Sequence, residues 1–435
     1  MMQRALNRRD FKTLALAAIG GALEYYDFIV FVFLAALIGK LFFPPDTPDW
    51  LQLLQTFGIF AAGYLARPLG GIVMAHFGDL FGRKRMFTLG IFMMSIPTLL
   101  TGLLPTYDSI GIAAPLTLLL LRLIQGAAVG GEVPGAWVFV AEHVPPRHVG
   151  FACGTLTSGL SVGILLGSLV AAGVNTFFST ADVIAYAWRI PFLVGGVFGF
   201  MGVYLRLYLE ETPVFEELKR NRKLAEELPL KAVIREYRPA IVVSVLLTWL
   251  LTAALVVVIL MTPTLLQKQH RISPAVALQA SSLATFFLTI GCTAFGLLID
   301  RIGAGKTFIL GSLCLLGSTL LFYFSLDTAP ELLFPTYALA GFCVGIAGAV
   351  PYVMVNAFPP KVRFTGLSSS YNLAYAIFGG LTPVFVTLIM KTQPMAPAYY
   401  VAAVCLLGIA VGIFLLRNDV HIADKSTKQA SGVAA

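Results

Sequence analysis

Six stretches in the second half of the chain, residues 239–267, 272–299, 307–326, 332–360, 364–390 and 392–416, contain no Asp, Glu, Lys or Arg, and each has at least 20 residues. A helix of about 20 apolar residues crosses the hydrocarbon of a bilayer, and helices are the simplest way for a single stretch to satisfy its own backbone polar groups there. Six spans follow for this half. The first half yields six more, near 13–39, 51–77, 86–105, 112–140, 149–174 and 188–209, although ionisable residues interrupt several of them. Over all 435 residues, 58% are apolar and 12% charged, about half the charged fraction of a soluble domain. Twelve spans consume this length, so no room is left for a soluble catalytic domain and an enzyme is not expected.

Between the two sets lies EETPVFEELKRNRKLAEELPLKAVIREYR, residues 210–238. Its charge density bars it from the bilayer, and it reads as an amphipathic surface connector. The expected organisation is a bundle over 1–209, a linker over 210–238, a second bundle over 239–417 and a short tail over 418–435. With the N-terminus in the cytoplasm, 22 of the 30 Lys and Arg fall on inner segments, and only Lys40, Lys268, Arg271 and Lys391 on outer ones. The positive-inside rule therefore predicts that both termini are cytoplasmic. The net charge of +8 is read as a topology signal and calls for no nucleic acid. The five cysteines (Cys153, Cys292, Cys314, Cys343, Cys405) are scattered without CxxC spacing, so no zinc site or disulfide framework is indicated.

One internal repeat has mechanical content. The loop after span 2 reads AHFGDLFGRKR and the loop after span 8 reads GLLIDRIGAGK, with Asp79 and Asp300 in equivalent places half a chain apart. The GAGKT that ends the second copy is not a phosphate-binding loop, because Asp300 stands where the leading Gly is required. The pattern Gly-x-x-x-Asp-Arg-x-Gly-x-x-Lys is met at Gly296, Asp300, Arg301, Gly303 and Lys306. The first copy keeps Asp79, Gly82, Lys84 and Arg85, but has Ala75 and Leu80 at two signature positions. This resembles the loop signature of the major facilitator superfamily. The resemblance implies an all-α membrane protein with twelve transmembrane helices in two pseudo-symmetric six-helix bundles, the solute site at their interface, and these loops as the latch.

Ionisable groups inside a bilayer are functional candidates by default, since each costs roughly 2.5–3.5 kcal/mol at a helix centre on insertion scales. Five qualify, all in the first half: Glu24, Asp27, Arg67, Arg122 and Glu132. Asp27 lies ~21 Å up span 1 and Arg122 ~15 Å down span 4 at 1.5 Å per residue, so the two fall at similar depth and a pair is expected. A carboxylate facing an arginine takes up a proton more readily once solute engages that arginine, which couples proton to cargo. Glu24 is expected to assist Asp27. Glu132 is expected either to receive the proton or to cap the inner half of its span. Arg67, followed by Pro68, Gly70 and Gly71, is an anion-binding candidate or a structural partner of Glu132. For each of the five the alternative is a structural ion pair. Tyr26 and Gln125, beside Asp27 and Arg122, join Trp249, Tyr371 and Asn372 as candidate solute contacts. Gly159, Gly163 and Gly167 form a G-x-x-x-G face for close helix packing or sliding.

Seven blocks in order, EYYDF (24–28), FFP (42–44), ARPLGG (66–71), RLIQGAAVGGE (122–132), WRIPF (188–192), ETPVF (211–215) and YNLAYAIFGGLTP (371–383), are similar to the metabolite:proton symporter family. That resemblance implies proton-driven uptake of small organic acids or zwitterions across a bacterial inner membrane, with Asp27 and Arg122 as the coupling pair and no metal or other cofactor. Osmosensing members carry a long C-terminal coiled coil, and the tail here has no heptads. The expectation is therefore a monomeric symporter of a small organic anion, a mono- or dicarboxylate. The alternatives are an importer of a proline- or betaine-type zwitterion, a drug exporter, or a non-transporting sensor.

Overall fold

A computed structural model describes residues 6–81, 83–207, 229–359 and 362–418. Its first half contains α1 (Arg8–Phe33), α2 (Asp49–Phe81), α3 (Arg83–Leu103), α4 (Ala113–His143), α5 (Val149–Phe177) and α6 (Ile190–Leu207). Its second half contains α7 (Arg238–Lys268), α8 (Pro274–Ile302), α9 (Ala304–Thr328), α10 (Pro330–Ala357), α11 (Arg363–Ile389) and α12 (Ala396–Arg417). Among the described residues nine helices are long and apolar enough to cross a membrane. The shorter apolar helices Phe92–Leu103 and Ala187–Gly202, together with the 33-residue α2, complete the twelve. Of the connector, Pro229–Glu236 is helical. Gly82 and the side chains of Asp79, Lys84 and Arg85 lie outside the described residues, as do 208–228 and 419–435.

Local chemistry sets the helix ends. Asn7 and Asp10 form a reciprocal capping box at the start of α1, each side chain accepting from the other's backbone N–H at 2.9 Å, which satisfies donors that the first turn leaves open. Ser273 caps α8, with Pro274 at its first position. Gly303 of the second loop signature has φ +82° and closes α8 against α9, a left-handed conformation that only glycine adopts cheaply. Four long helices are not uniform, among them α10, which tightens to 3-10 helix over Gly345–Ala349. α4 breaks at Gly130–Gly131 before Glu132, and α7 and α11 widen to π-helix over Ala253–Met261 and Tyr375–Gly380.

Packing repeats between the halves. α2 lies on α4 and α8 on α10, and both contacts are glycine to glycine. A Cβ on Gly126 would strike the backbone of Gly63, and one on Gly345 would strike that of Gly291. The halves meet along two seams, α5 on α8 and α2 on α11. A six-helix shift exchanges these two seams, as a pseudo-twofold axis between the bundles requires.

The G-x-x-x-G face does not lie on a seam. Gly159, Gly163 and Gly167 pack against Ala18, Ala22 and Phe33 of α1, inside the first half. The close approach between halves uses Gly150 and Gly154 of α5, themselves in G-x-x-x-G spacing, against Gly296 of α8.

Contacts join the two halves at both ends of the interface. At the end that carries the chain termini, Asp300 accepts backbone N–H groups from Gly150 at 2.8 Å and Phe151 at 2.7 Å, and Arg363 pairs with Glu142 at 3.1 Å. At the far end, Lys268 pairs with Asp49 at 2.6 Å and the Lys391 ammonium sits over the Trp50 ring at 2.9 Å. Between them is a cavity of about 20 Å³, room for roughly one water.

Candidate functional site

Two polar centres lie inside the protein. The first is enclosed by the first half alone. Asp27 of α1 is 1% exposed, and its carboxylate lies where a Cβ on Gly195 or Gly199 of α6 would reach it. The Ser95 hydroxyl stands beside it without hydrogen-bond geometry, and neither carboxylate oxygen has a partner among the described residues. The two glycines make this space: any larger residue on that face of α6 would fill it. Next to it Gln125 donates to the Thr98 hydroxyl at 2.6 Å.

Arg122 stands level with Asp27, because its Nη1 donates to the carbonyl of Phe28 at 2.9 Å. The guanidinium lies over the rings of Phe31 at 3.9 Å and Phe28 at 5.5 Å. No ion pair joins it to Asp27, so the direct contact expected from their depths is not made in this conformation. Depth along a helix follows from residue count, whereas azimuth does not, and Asp27 is turned toward α3 and α6. Tyr26 and Gln125 are committed within the same half: the Tyr26 hydroxyl donates to the Pro191 carbonyl at 2.7 Å. The hydrogen bonds of both lie within the first half. Glu24 is buried nearby on α1, and Glu132 is buried in the first turn of the second segment of α4, where its charge favours the helix N-terminus.

The second centre lies between the halves. Arg67 of α2 is fully buried, and none of its three nitrogens has a hydrogen bond of normal geometry among the described residues. Its guanidinium is ringed by tyrosines: Tyr375 at 4.5 Å, Tyr371 at 5.2 Å and Tyr64 at 5.4 Å from the ring centroids. Tyr64 stacks on Tyr375 at 5.3 Å. Tyr25 closes the ring with its hydroxyl 3.4 Å from that of Tyr375. Trp137 meets Tyr371 edge-on at 5.0 Å and donates to Thr157. Tyr375 opens the π-helical segment of α11, the kind of irregularity that often marks functional positions. The small cavity is lined by Tyr25, Trp137, Tyr371 and Tyr375. Asn372 seals the adjoining seam by donating to the Gly130 carbonyl at the break in α4.

Trp249 is not part of this box. Its indole donates to the Tyr400 hydroxyl at 2.8 Å and stacks on Phe378 at 4.3 Å, which holds it against α12 within the second half. The missed residues are Tyr25, Tyr64, Tyr375 and Trp137. Spacing held a signal for two of them: Tyr64 and Arg67 are three apart and Tyr371 and Tyr375 four apart, so each pair shares a helix face.

The contacts at the two ends of the interface carry two predictions. Asp300 holds the N-terminus of α5 by two hydrogen bonds to a carboxylate, while Arg301 and Lys306 are exposed. Hydrogen bonds to charged groups contribute about 1.5–3 kcal/mol each, so Asp300→Asn is expected to shift the closed-to-open ratio at that end by on the order of 10- to 100-fold. Maleimide labelling of Cys292, buried on the α5–α8 seam, should accelerate accordingly in a background where it is the only cysteine. At the far end, hydrogen bonding and the charge of Lys268 hold Asp49 below the usual carboxylate range. A depressed value means that the pair is intact above the unpaired value of ~3.9 and breaks only as pH falls through the lower one. Asp49→Asn should therefore leave the shape of the transport pH profile between pH 5 and 8 unchanged.

Twelve helices in two related halves, closed over a polar centre at their interface, define a multi-pass membrane transporter. A family model described as Major Facilitator Superfamily matches residues 17–383 and 256–434, and the chain belongs to that superfamily. A Staphylococcus aureus (strain COL) protein provisionally named a proline/betaine transporter is 36% identical over 415 residues, covering 93% of this chain and 88% of that one. The proline/betaine transporter of Escherichia coli (strain K12) is 30% identical over 437 residues, covering 97% and 86%. Among solved structures, the proton:xylose symporter XylE bound to 6-bromo-6-deoxy-D-glucose superposes with a TM-score of 0.74 at 15% identity, covering 94% of this chain and 95% of that one. That last likeness is one of fold.

Proposed function

We propose that the protein is a proton-coupled importer of a small zwitterion of the proline or betaine type, working by alternating access in a bacterial inner membrane with both termini cytoplasmic. The observation that carries this reading is the buried Arg67 in its ring of tyrosines at the interface of the halves. A guanidinium with unfilled donors suits a carboxylate, which it meets as a planar fork. Aromatic faces suit a substituted ammonium. A carboxylate alone would leave the aromatic faces without a role, so the zwitterion displaces the organic anion expected from the arginines by themselves. The names of the relatives favour the same solute class.

In this cycle Asp27 is the proton site, with Ser95, Thr98 and Gln125 around it, and Arg122 is the positive charge that tunes it. The two centres are linked through Phe28, which lies under Arg122 at 5.5 Å and meets Tyr64 edge-on at 5.0 Å. Tyr25 and Asp27 are also two residues apart on α1, so a shift of that helix moves both. Solute arrival at the box and proton arrival at Asp27 together favour the occluded state, which then reopens at either end.

The test is uptake of labelled proline, glycine betaine and 2-oxoglutarate into proteoliposomes under an inward proton gradient, with and without an uncoupler. Uncoupler-sensitive accumulation of proline or betaine is expected. Accumulation of 2-oxoglutarate in their place would restore the organic-acid reading.

A further inference from the structure

Resting on the zwitterion reading, we propose that Arg67 is the resident occupant of the aromatic box and that solute enters by exchange. The solute's carboxylate draws the guanidinium out from among the tyrosines, and the solute's ammonium takes the vacated place.

Three observations lead there. The guanidinium is within cation–π range, about 6 Å, of three rings at once, at 4.5, 5.2 and 5.4 Å. It therefore already occupies the position that a box of this kind offers a cation. Among the described residues none of its three nitrogens makes a hydrogen bond of normal geometry, the Tyr371 side chain approaching only loosely, although the residue is fully buried, and natural interiors seldom tolerate such donors without a function. The cavity beside it is about 20 Å³, too small for an ammonium to bind next to the arginine. Two like charges in one desolvated box would also repel.

Exchange accounts for selectivity on both sides. A cation without a carboxylate has nothing with which to extract Arg67 and is refused. An anion without a cation extracts the guanidinium but leaves the tyrosines empty. Only a solute with both charges restores the box while filling the arginine's donors. Because Tyr371 and Tyr375 belong to α11 and Arg67 to α2, the exchange also replaces a contact across the α2–α11 seam. Without solute, Arg67 holds that seam together.

The test is binding of tetramethylammonium and of glycine betaine, by titration calorimetry, to purified wild type and Arg67→Met. Wild type should bind betaine and bind tetramethylammonium at least tenfold more weakly. Arg67→Met should gain at least tenfold for tetramethylammonium and lose at least tenfold for betaine. Arg67→Lys, which keeps a cation in place, should still refuse tetramethylammonium. Adding Tyr375→Leu to Arg67→Met should abolish the gain. Gel-filtration and melting profiles identify a misfolded variant, and Arg67→Gln carries the same prediction if Arg67→Met fails them. Betaine binding by wild type with no gain of tetramethylammonium by a folded variant overturns the exchange and leaves the zwitterion reading intact. Failure of wild type to bind either betaine or proline overturns both.

Discussion

With the outside one pH unit more acidic than the inside and no membrane potential, wild-type protein accumulates its solute about tenfold, and Asp27→Asn accumulates none. The magnitude follows from one proton per solute, since one pH unit is worth ~1.36 kcal/mol. Asparagine fits the space bounded by Gly195, Gly199 and Ser95 but cannot exchange a proton. The variant should still catalyse exchange of labelled for unlabelled solute, because the box around Arg67 is built from other residues. Uphill accumulation by Asp27→Asn with a normal pH response would remove Asp27 from the coupling. Loss of exchange as well as accumulation would assign it to the solute site or to structure.

The second large effect is at Arg67. Replacing it by glutamine removes the carboxylate fork, and two charge-assisted hydrogen bonds at about 1.5 kcal/mol or more each correspond to a rise in KM on the order of 100-fold. Arg67→Lys should recover only part of this, because a point charge cannot reproduce the planar fork. Initial-rate uptake at graded solute concentrations reads both variants. An unchanged KM in Arg67→Gln would place the solute elsewhere.

These two residues also show how much of the molecule can be read before its structure is known. The spans are legible because charge in hydrocarbon is costly enough to leave long gaps between ionisable residues, as from 239 to 267. The relative heights of Asp27 and Arg122 are legible because every helical residue adds the same rise. The facing of side chains across helices is not. Whether Trp249 turns inward or toward Tyr400 depends on helix rotation and on which neighbour offers an acceptor, and in α7 that neighbour is α12. The tyrosine box was hidden for a further reason: Tyr25, Tyr64 and Tyr375 are apolar enough to pass as core, and only their convergence on Arg67 gives them chemical meaning. The arginines alone favoured a simple anion, and the rings around one of them are what the proposed zwitterion rests on.

The zwitterion account is tested most directly by membrane potential. A zwitterion carries no net charge, so its entry with one proton moves one positive charge, whereas a monocarboxylate entering with one proton moves none. In proteoliposomes at equal pH on both sides, an inside-negative potassium diffusion potential of 100 mV supplies ~2.3 kcal/mol per charge. The account predicts roughly 50-fold accumulation of glycine betaine or proline under that potential alone, with alkalinisation of the external medium as protons follow. Uptake indifferent to potential, or entry of solute without proton movement, would contradict it.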